Sequence, residues 1–194
     1  MPNLYVIAGC NGAGKTTASY TILPKIFDCK EFVNADSIAA GLSPFNPESV
    51  AFESGRIMLT RINQLITEKV DFAFETTLST RSYVSLIRNA QNKGYEATLL
   101  FFWLKSPDLA KERVANRVSE GGHNIPSDII ERRYFRGISN LINLYMPICD
   151  NWMVVNNIGS PPRMIARGGS SVDTLIINND IWNTILRQTK LSGK

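Results

Sequence analysis

Short apolar runs alternate with longer segments of helical periodicity along the first 157 residues. The runs predict buried strands, and they cover 4–8, 31–36, 70–75, 95–104 and 152–156. Between the second and third runs, apolar residues recur three and four positions apart from about Pro47 to Lys69, as in an amphipathic helix. Strands that alternate with helices indicate an α/β fold with a central, mostly parallel five-stranded sheet and helices on both faces. Beyond the fifth run, we predict a small hairpin over 163–177 and a last helix over about 180–188.

A glycine-rich loop follows the first predicted strand. Its sequence, Gly9 to Thr16, fits G-x-x-x-x-G-K-[ST], and a helix is predicted directly after it. Such a loop directs backbone N–H groups at phosphates, which indicates a P-loop NTPase or kinase fold that binds ATP or GTP. Lys15 would reach the β- and γ-phosphates, and the Thr16 hydroxyl would bind Mg²⁺. The full set expected to bind the nucleotide is Gly9, Asn11, Gly12, Ala13, Gly14, Lys15, Thr16 and Thr17.

The dinucleotide fingerprint G-x-G-x-x-G does not fit, because position 17 holds a threonine where the third glycine is needed.

Two carboxylates occur where predicted strands end. Asp36 ends the second strand and Glu75 the third, so both would face the phosphate loop in a parallel sheet. We expect Asp36 to act as the general base for an attacking hydroxyl and to contact the substrate. The alternative for Asp36 is an N-cap of the next helix. Glu75 would hold Mg²⁺ through water or bind a polar substrate together with Thr76, and the alternative is that Ser79 or Thr80 only caps a helix.

A basic helical pair later in the chain is a candidate lid, at about residues 113–136. Arg113 and Arg117 share one helix face, Gly121-Gly122 provides a hinge, and the next helix carries three more arginines. Those three arginines are Arg132, Arg133 and Arg136. Their guanidinium groups could neutralise the γ-phosphate during transfer while the lid excludes water. The alternative is two solvated basic faces.

The composition describes one ordinary globular domain over residues 1–194, with a C-terminal extension from about 158. The net charge is +4, which suits an anionic small substrate and does not argue for nucleic acid. Three scattered cysteines and the lack of an 18-residue apolar run predict a cytoplasmic protein with no disulfide framework and no membrane segment. With His123 as the sole histidine, neither a His-based metal site nor a Ser/His/Asp triad has support.

Taken together, these motifs resemble the zeta-toxin-like P-loop kinases, in their small bacterial branch. The resemblance spans residues 3–157. It rests on segments 6–16, 34–39, 74–79, 113–118, 121–126 and 132–134.

The resemblance implies ATP- or GTP-dependent phosphorylation of a sugar hydroxyl on UDP-N-acetylglucosamine. It implies that Lys15 and Thr16 bind phosphate and Mg²⁺, that Asp36 activates the hydroxyl, and that Glu75 with Thr76 holds the sugar. By the same resemblance Arg117 stabilises the moving phosphoryl group. His123 stands where the toxins have a second arginine, and Arg133 or Arg136 are the substitutes we consider. We also assign Arg113 and His123 to substrate binding.

Two other functions stay open at this point. One is a nucleotide-dependent ATPase or switch that acts through a protein partner, although neither an N-K-x-D nor an L-S-G-G-Q motif occurs. The other is a toxin held inactive by an antitoxin protein.

Overall fold

The computed structural model describes residues 1–122, 124–159 and 161–191. Within them, one seven-stranded sheet has the order β2-β3-β1-β4-β5-β6-β7. The first five strands are parallel, and the last two are an antiparallel hairpin added to the same sheet. The strands are β1 Asn3–Gly9, β2 Glu31–Val33, β3 Phe72–Thr76, β4 Glu96–Trp103, β5 Asn151–Asn156, β6 Arg163–Gly169 and β7 Leu175–Ile176.

Helices connect the parallel strands. They are α1 Lys15–Ile26, α2 Ala35–Leu42, α3 Ala51–Glu68, α4 Tyr83–Asn92, α5 Pro107–Ser119, α6 Ser127–Asn140 and α7 Asn179–Gln188. A 3₁₀ turn, Pro47–Val50, leads into α3, and a π-helical turn, Leu141–Tyr145, continues α6. The predicted P-loop kinase type of α/β fold is therefore confirmed, with the hairpin extending the predicted five-stranded sheet to seven.

The core lies against the central strands. β1 and β4 are almost wholly buried, because each has a strand on both sides and helices pack above them. Their carboxyl ends lead into the phosphate loop and into α5, which brings these two distant segments to one edge of the sheet. Ligands of open α/β sheets bind at this edge.

Two local predictions change in the structure. The second strand ends at Val33, so Asp36 belongs to the first turn of α2. The N-cap of α2 is Asn34, whose side-chain oxygen accepts hydrogen bonds from the N–H groups of Asp36 and Ser37. Pro24 lies inside the last turn of α1. Across the described residues, no helix combines the length and the apolar character that a membrane span requires.

Candidate active site

The phosphate loop has the left-handed glycine conformations that its sequence predicts. Gly12 and Gly14 have φ angles of 75° and 77°. A Cβ atom on Gly14 would also lie 2.6 Å from the amide nitrogen of Asn157, so the position has no room for a side chain. Lys15 is buried, and its Nζ donates to the carbonyl oxygen of Cys10 at 3.0 Å. The lysine therefore folds back over the loop that would hold the phosphates.

Donors from distant elements hold the loop from outside. Asn157, just after β5, donates through Nδ2 to the carbonyl oxygen of Ala13 at 2.6 Å. Arg113 of α5 donates to the carbonyl oxygens of Gly12 at 3.5 Å and Ile158 at 3.1 Å. These bonds to the carbonyl groups hold the loop in a fixed conformation, in which its remaining N–H groups can face a phosphate. Arg113 thus contacts the loop backbone and the segment after β5.

Glu75, in β3, is the centre of the polar network beneath the loop. Its Oε2 accepts from Thr16 Oγ1 at 2.7 Å and from Asn34 Nδ2 at 3.0 Å, and its Oε1 lies 3.4 Å from Lys15 Nζ. A hydroxyl and a carboxylate oxygen are ligands that Mg²⁺ accepts beside phosphate oxygens and water. The donor pair Thr16 and Glu75 therefore fits Mg²⁺. Within the described residues, no cluster of three His, Cys, Asp or Glu side chains offers an alternative metal site.

Asp36 lines a cleft of about 420 Å³ between α2–α3 and α5–α6. It is exposed, and its carboxylate has no hydrogen bond or ion pair within the part of the chain that the structure describes. Small apolar side chains form much of the wall, and the complete lining is Ala35, Asp36, Ala39, Ala40, Pro47, Glu48, Ala51, Arg117, Asn124, Ile125, Pro126, Ile129, Arg132 and Arg133. An acidic side thus faces an arginine side across this cleft.

Arg133 connects the cleft to the phosphate loop. It lines the cleft and donates through Nη1 to Asn11 Oδ1 at 3.4 Å. On the opposite wall, Asp36 lies two residues after Asn34. Asn34 donates to the carboxylate of Glu75, which in turn contacts Lys15. A ligand in the cleft would therefore lie close to the Asp36 carboxylate and, through Arg133, next to the loop that is predicted to bind phosphate.

Some residues that the sequence predicted for the site do not line the cleft. Thr76 is buried and its Oγ1 accepts from the N–H of Leu78 at 3.0 Å, so its hydroxyl organises its own loop. Arg136 lies in a separate cavity with Ser79 and Arg81. Thr17 is exposed at the start of α1, and His123 lies outside the described residues.

Cys10 lies within the phosphate loop sequence and is buried beneath it. Burial raises the pKa of its thiol to about 11, although the positive charge of Lys15 acts in the opposite direction. The thiol is therefore protonated at neutral pH and is unsuited to act as a nucleophile.

The sequence analysis missed two residues of the site, Asn34 and Asn157. Asn34 had a signal, because an asparagine before an apolar helical segment is a common N-cap. Asn157 had no such signal in the sequence, because its contact with Ala13 joins residues 144 positions apart.

Comparison with protein families gives one match that covers most of the chain. A family described as Zeta toxin matches residues 1–146 of the 194. A protein of Haemophilus influenzae (strain ATCC 51907 / DSM 11121 / KW20 / Rd), named only as an uncharacterized protein, is 28% identical over 126 residues. That similarity covers 65% of this chain and 88% of the relative.

Solved structures with the same fold include a chain of the PezAT chromosomal toxin–antitoxin system of Streptococcus pneumoniae. It aligns with a TM-score of 0.69 and 18% identity, over 99% of this chain and 86% of that one. A chain of the AvrRxo1-ORF1:-ORF2 complex with ATP aligns with a TM-score of 0.75 and 18% identity, over 95% of this chain and 63% of that one. At such identities the similarity shows the fold.

Proposed function

Because the chain belongs to the Zeta toxin family, we propose that it is an ATP-dependent kinase that phosphorylates a hydroxyl group of a small polar acceptor. The family and the P-loop kinase fold support a nucleotide-dependent phosphotransferase. The observation that carries the finer proposal is the position of Asp36. Its carboxylate, which has no partner in the described part of the chain, lines a cleft that Arg133 joins to the phosphate loop.

Each residue has a defined part in the proposed reaction. Asp36 accepts the proton of the acceptor hydroxyl as its oxygen attacks the γ-phosphorus, and the bond from that phosphorus to the β,γ-bridging oxygen breaks to release ADP. Lys15 and the arginines of the cleft, Arg117, Arg132 and Arg133, offset the negative charge that shifts during transfer. Mg²⁺ bound by Thr16 and Glu75 would neutralise phosphate charge.

The first acceptor to test is a nucleotide sugar such as UDP-N-acetylglucosamine. The cleft combines a carboxylate that can bind a hydroxyl, arginines that can bind phosphate, and small apolar side chains that can pack against a sugar ring. Together with the family membership, this combination supports an acceptor that carries both a hydroxyl and an anionic group.

The decisive experiment replaces Asp36 by asparagine. Asp36→Asn should keep ATP binding, because no residue of the phosphate loop lines the cleft with Asp36, and should lower phosphoryl transfer by about 10²-fold or more through loss of the base. Transfer from labelled ATP to a panel of nucleotide sugars and nucleosides measures the rate. Asp173→Asn, an exposed carboxylate in the hairpin turn, is the matched control. Transfer by Asp36→Asn at the wild-type rate would refute the proposal.

A second candidate function is that of a toxin neutralised by an antitoxin. The family name and the toxin–antitoxin system that contains the Streptococcus pneumoniae chain support it. It is compatible with the kinase proposal, because the partner would regulate the same activity. Co-expression with the product of a neighbouring gene, followed by growth and co-purification assays, tests it, and growth that is unaffected by the chain alone would argue against it.

A further inference from the structure

Asn34 lies between the polar network under the phosphate loop and the helix that carries Asp36. It is buried, and both ends of its side-chain amide are bonded. Nδ2 donates to Glu75 Oε2 at 3.0 Å, and Oδ1 accepts from the N–H groups of Asp36 at 2.8 Å and Ser37 at 3.2 Å. Turning the amide over would place Nδ2 against two N–H donors and Oδ1 against a carboxylate, so a single orientation satisfies these contacts.

Helix α2 packs on the rest of the protein through a few small or apolar side chains. Ala39 is buried, and Ala35 and Ile38 are partly buried against the core. Apolar contacts of this kind are non-directional. The hydrogen bonds of Asn34 are directional, and they join the first turn of α2 to the carboxylate of Glu75.

Glu75 continues this connection to the phosphate loop. Its Oε2 also accepts from Thr16 Oγ1 at 2.7 Å, and its Oε1 lies 3.4 Å from Lys15 Nζ. A hydroxyl can give a lone pair to Mg²⁺ and still donate its proton to a carboxylate, so a filled phosphate site is compatible with the bond from Thr16 to Glu75. Because bonds in such a network polarise one another, a change at the loop can reach the backbone of Asp36 through Glu75 and Asn34.

We propose that Asn34 is a positioning residue that couples nucleotide binding at the phosphate loop to the placement of Asp36. When the loop is occupied, the bond from Asn34 to Glu75 holds the first turn of α2 in one position relative to the phosphates. This rests on the proposed kinase function for the role of Asp36, and it adds a regulation of the same site. The coupling belongs to the nucleotide complex, so it can be measured without an acceptor.

Two substitutions separate coupling from simple helix capping. Serine and aspartate cap helices about as well as asparagine, but neither has an amide that can donate to Glu75. Asn34→Ser keeps a cap and removes the bond to Glu75. Asn34→Asp keeps a cap and places a second carboxylate against Glu75. A residue that only capped α2 would tolerate both changes, whereas a coupling residue would tolerate neither.

Amide hydrogen exchange, followed by NMR on the full chain, tests the coupling without catalysis. Rates are compared with and without Mg²⁺ and a non-hydrolysable ATP analogue. In the wild type, we expect the analogue to slow exchange at Asp36 and Ser37 about fivefold, because it fixes the side chain to which both N–H groups donate. In Asn34→Ser, the analogue should bind but leave both rates unchanged. Equal slowing in the two proteins would overturn the proposal, and so would no slowing in the wild type.

Asn178 provides a matched control. It caps α7 in the same way, because its Oδ1 accepts from the N–H of Ile181 at 3.0 Å, and it does not line the cleft. Asn178→Ser should therefore show the wild-type slowing at Asp36. Thermal unfolding should show that the variants remain folded, and Asn34→Asp repeats the test with a second cap if Asn34→Ser does not fold.

Kinetics then connect the coupling to the proposed base. Asn34→Ser should lower kcat about tenfold and change the KM for ATP less than about twofold, as expected for loss of a hydrogen bond to a charged group that acts on placement. A raised KM for ATP at constant kcat would contradict the coupling. Transfer by Asp36→Asn at the wild-type rate would refute the base and leave the exchange result unchanged, so the two proposals fail separately.

Discussion

The phosphate loop and the cleft that Asp36 lines, the proposed acceptor cleft, are joined by Arg133 but differ in how their polar groups are satisfied. At the loop, the side chains of Lys15 and Thr16 both contact the carboxylate of Glu75, and most of this network is buried. In the cleft, Asp36 is exposed and its carboxylate has no partner among the described residues. The polar groups at the loop satisfy one another, and the cleft presents the carboxylate of Asp36, which a ligand could bind.

The difference follows from what each region binds in the proposed reaction. A triphosphate presents the same oxygens every time, so a rigid loop whose carbonyls are held by Arg113 and Asn157 can be formed in advance. Preorganisation of this kind lowers the cost of binding. The acceptor differs between kinases, and the side chains that line a cleft between helices can be substituted without disturbing the sheet. We therefore expect substitutions in the two regions to have different effects, and three predictions test that expectation.

The largest effect is expected for Lys15→Ala. Removing the ammonium group deletes the charge that is proposed to face the β- and γ-phosphates, and we expect phosphoryl transfer to fall by about 10³-fold. Lys25→Ala, an exposed lysine of the same helix, should keep the wild-type rate. Transfer from labelled ATP and nucleotide binding by fluorescence titration measure both quantities. A Lys15→Ala variant that transfers phosphate normally would remove the phosphate loop from the mechanism.

A stability comparison between Glu75→Ala and Asp36→Ala directly separates the two regions. Glu75→Ala leaves the buried Lys15 without its carboxylate and should lower the free energy of unfolding by about 3 kcal/mol. Asp36→Ala removes an exposed carboxylate in the first turn of α2, and its cost should stay below about 1 kcal/mol. Urea unfolding of both variants measures the difference. Equal losses of stability would contradict the view that the polar groups at the loop stabilise the fold and that the Asp36 carboxylate does not.

The smallest effect is expected for Asn157→Ala, which tests whether the phosphate loop is held from outside. Losing its bond to the Ala13 carbonyl, worth about 1 kcal/mol, should raise the KM for ATP about fivefold and leave kcat nearly unchanged. Asn63→Ala, on the exposed face of α3, is the control. A fall in kcat at constant KM would show that Asn157 acts on the chemical step and not on the loop.

Local sequence signals predicted the regions of the site that are continuous in the chain. The glycines of the segment from Gly9 to Thr16 predict its backbone conformation, because they adopt positive φ angles. The strand before the segment was predicted from an apolar run. The two helices of the predicted lid, α5 and α6, and the glycines between them were also recognisable, because helical periodicity and glycine breaks act over a few residues. Asp36 was predicted at the end of the second strand, but it lies in the first turn of α2. The strand is shorter than its apolar residues suggested, because Asn34 caps the helix that follows.

The sequence by itself determined the fold class and the identity of the phosphate loop, since both depend on conformational preferences of neighbouring residues. Only the tertiary structure decided which side chains meet across the sheet edge. It brought Asn157 to Ala13 and Arg133 to Asn11, and it separated Arg136 from the cleft that holds Arg132. The physical reason is that such contacts depend on how helices and strands pack, and a one-turn displacement along α6 moves a guanidinium group into a different cavity.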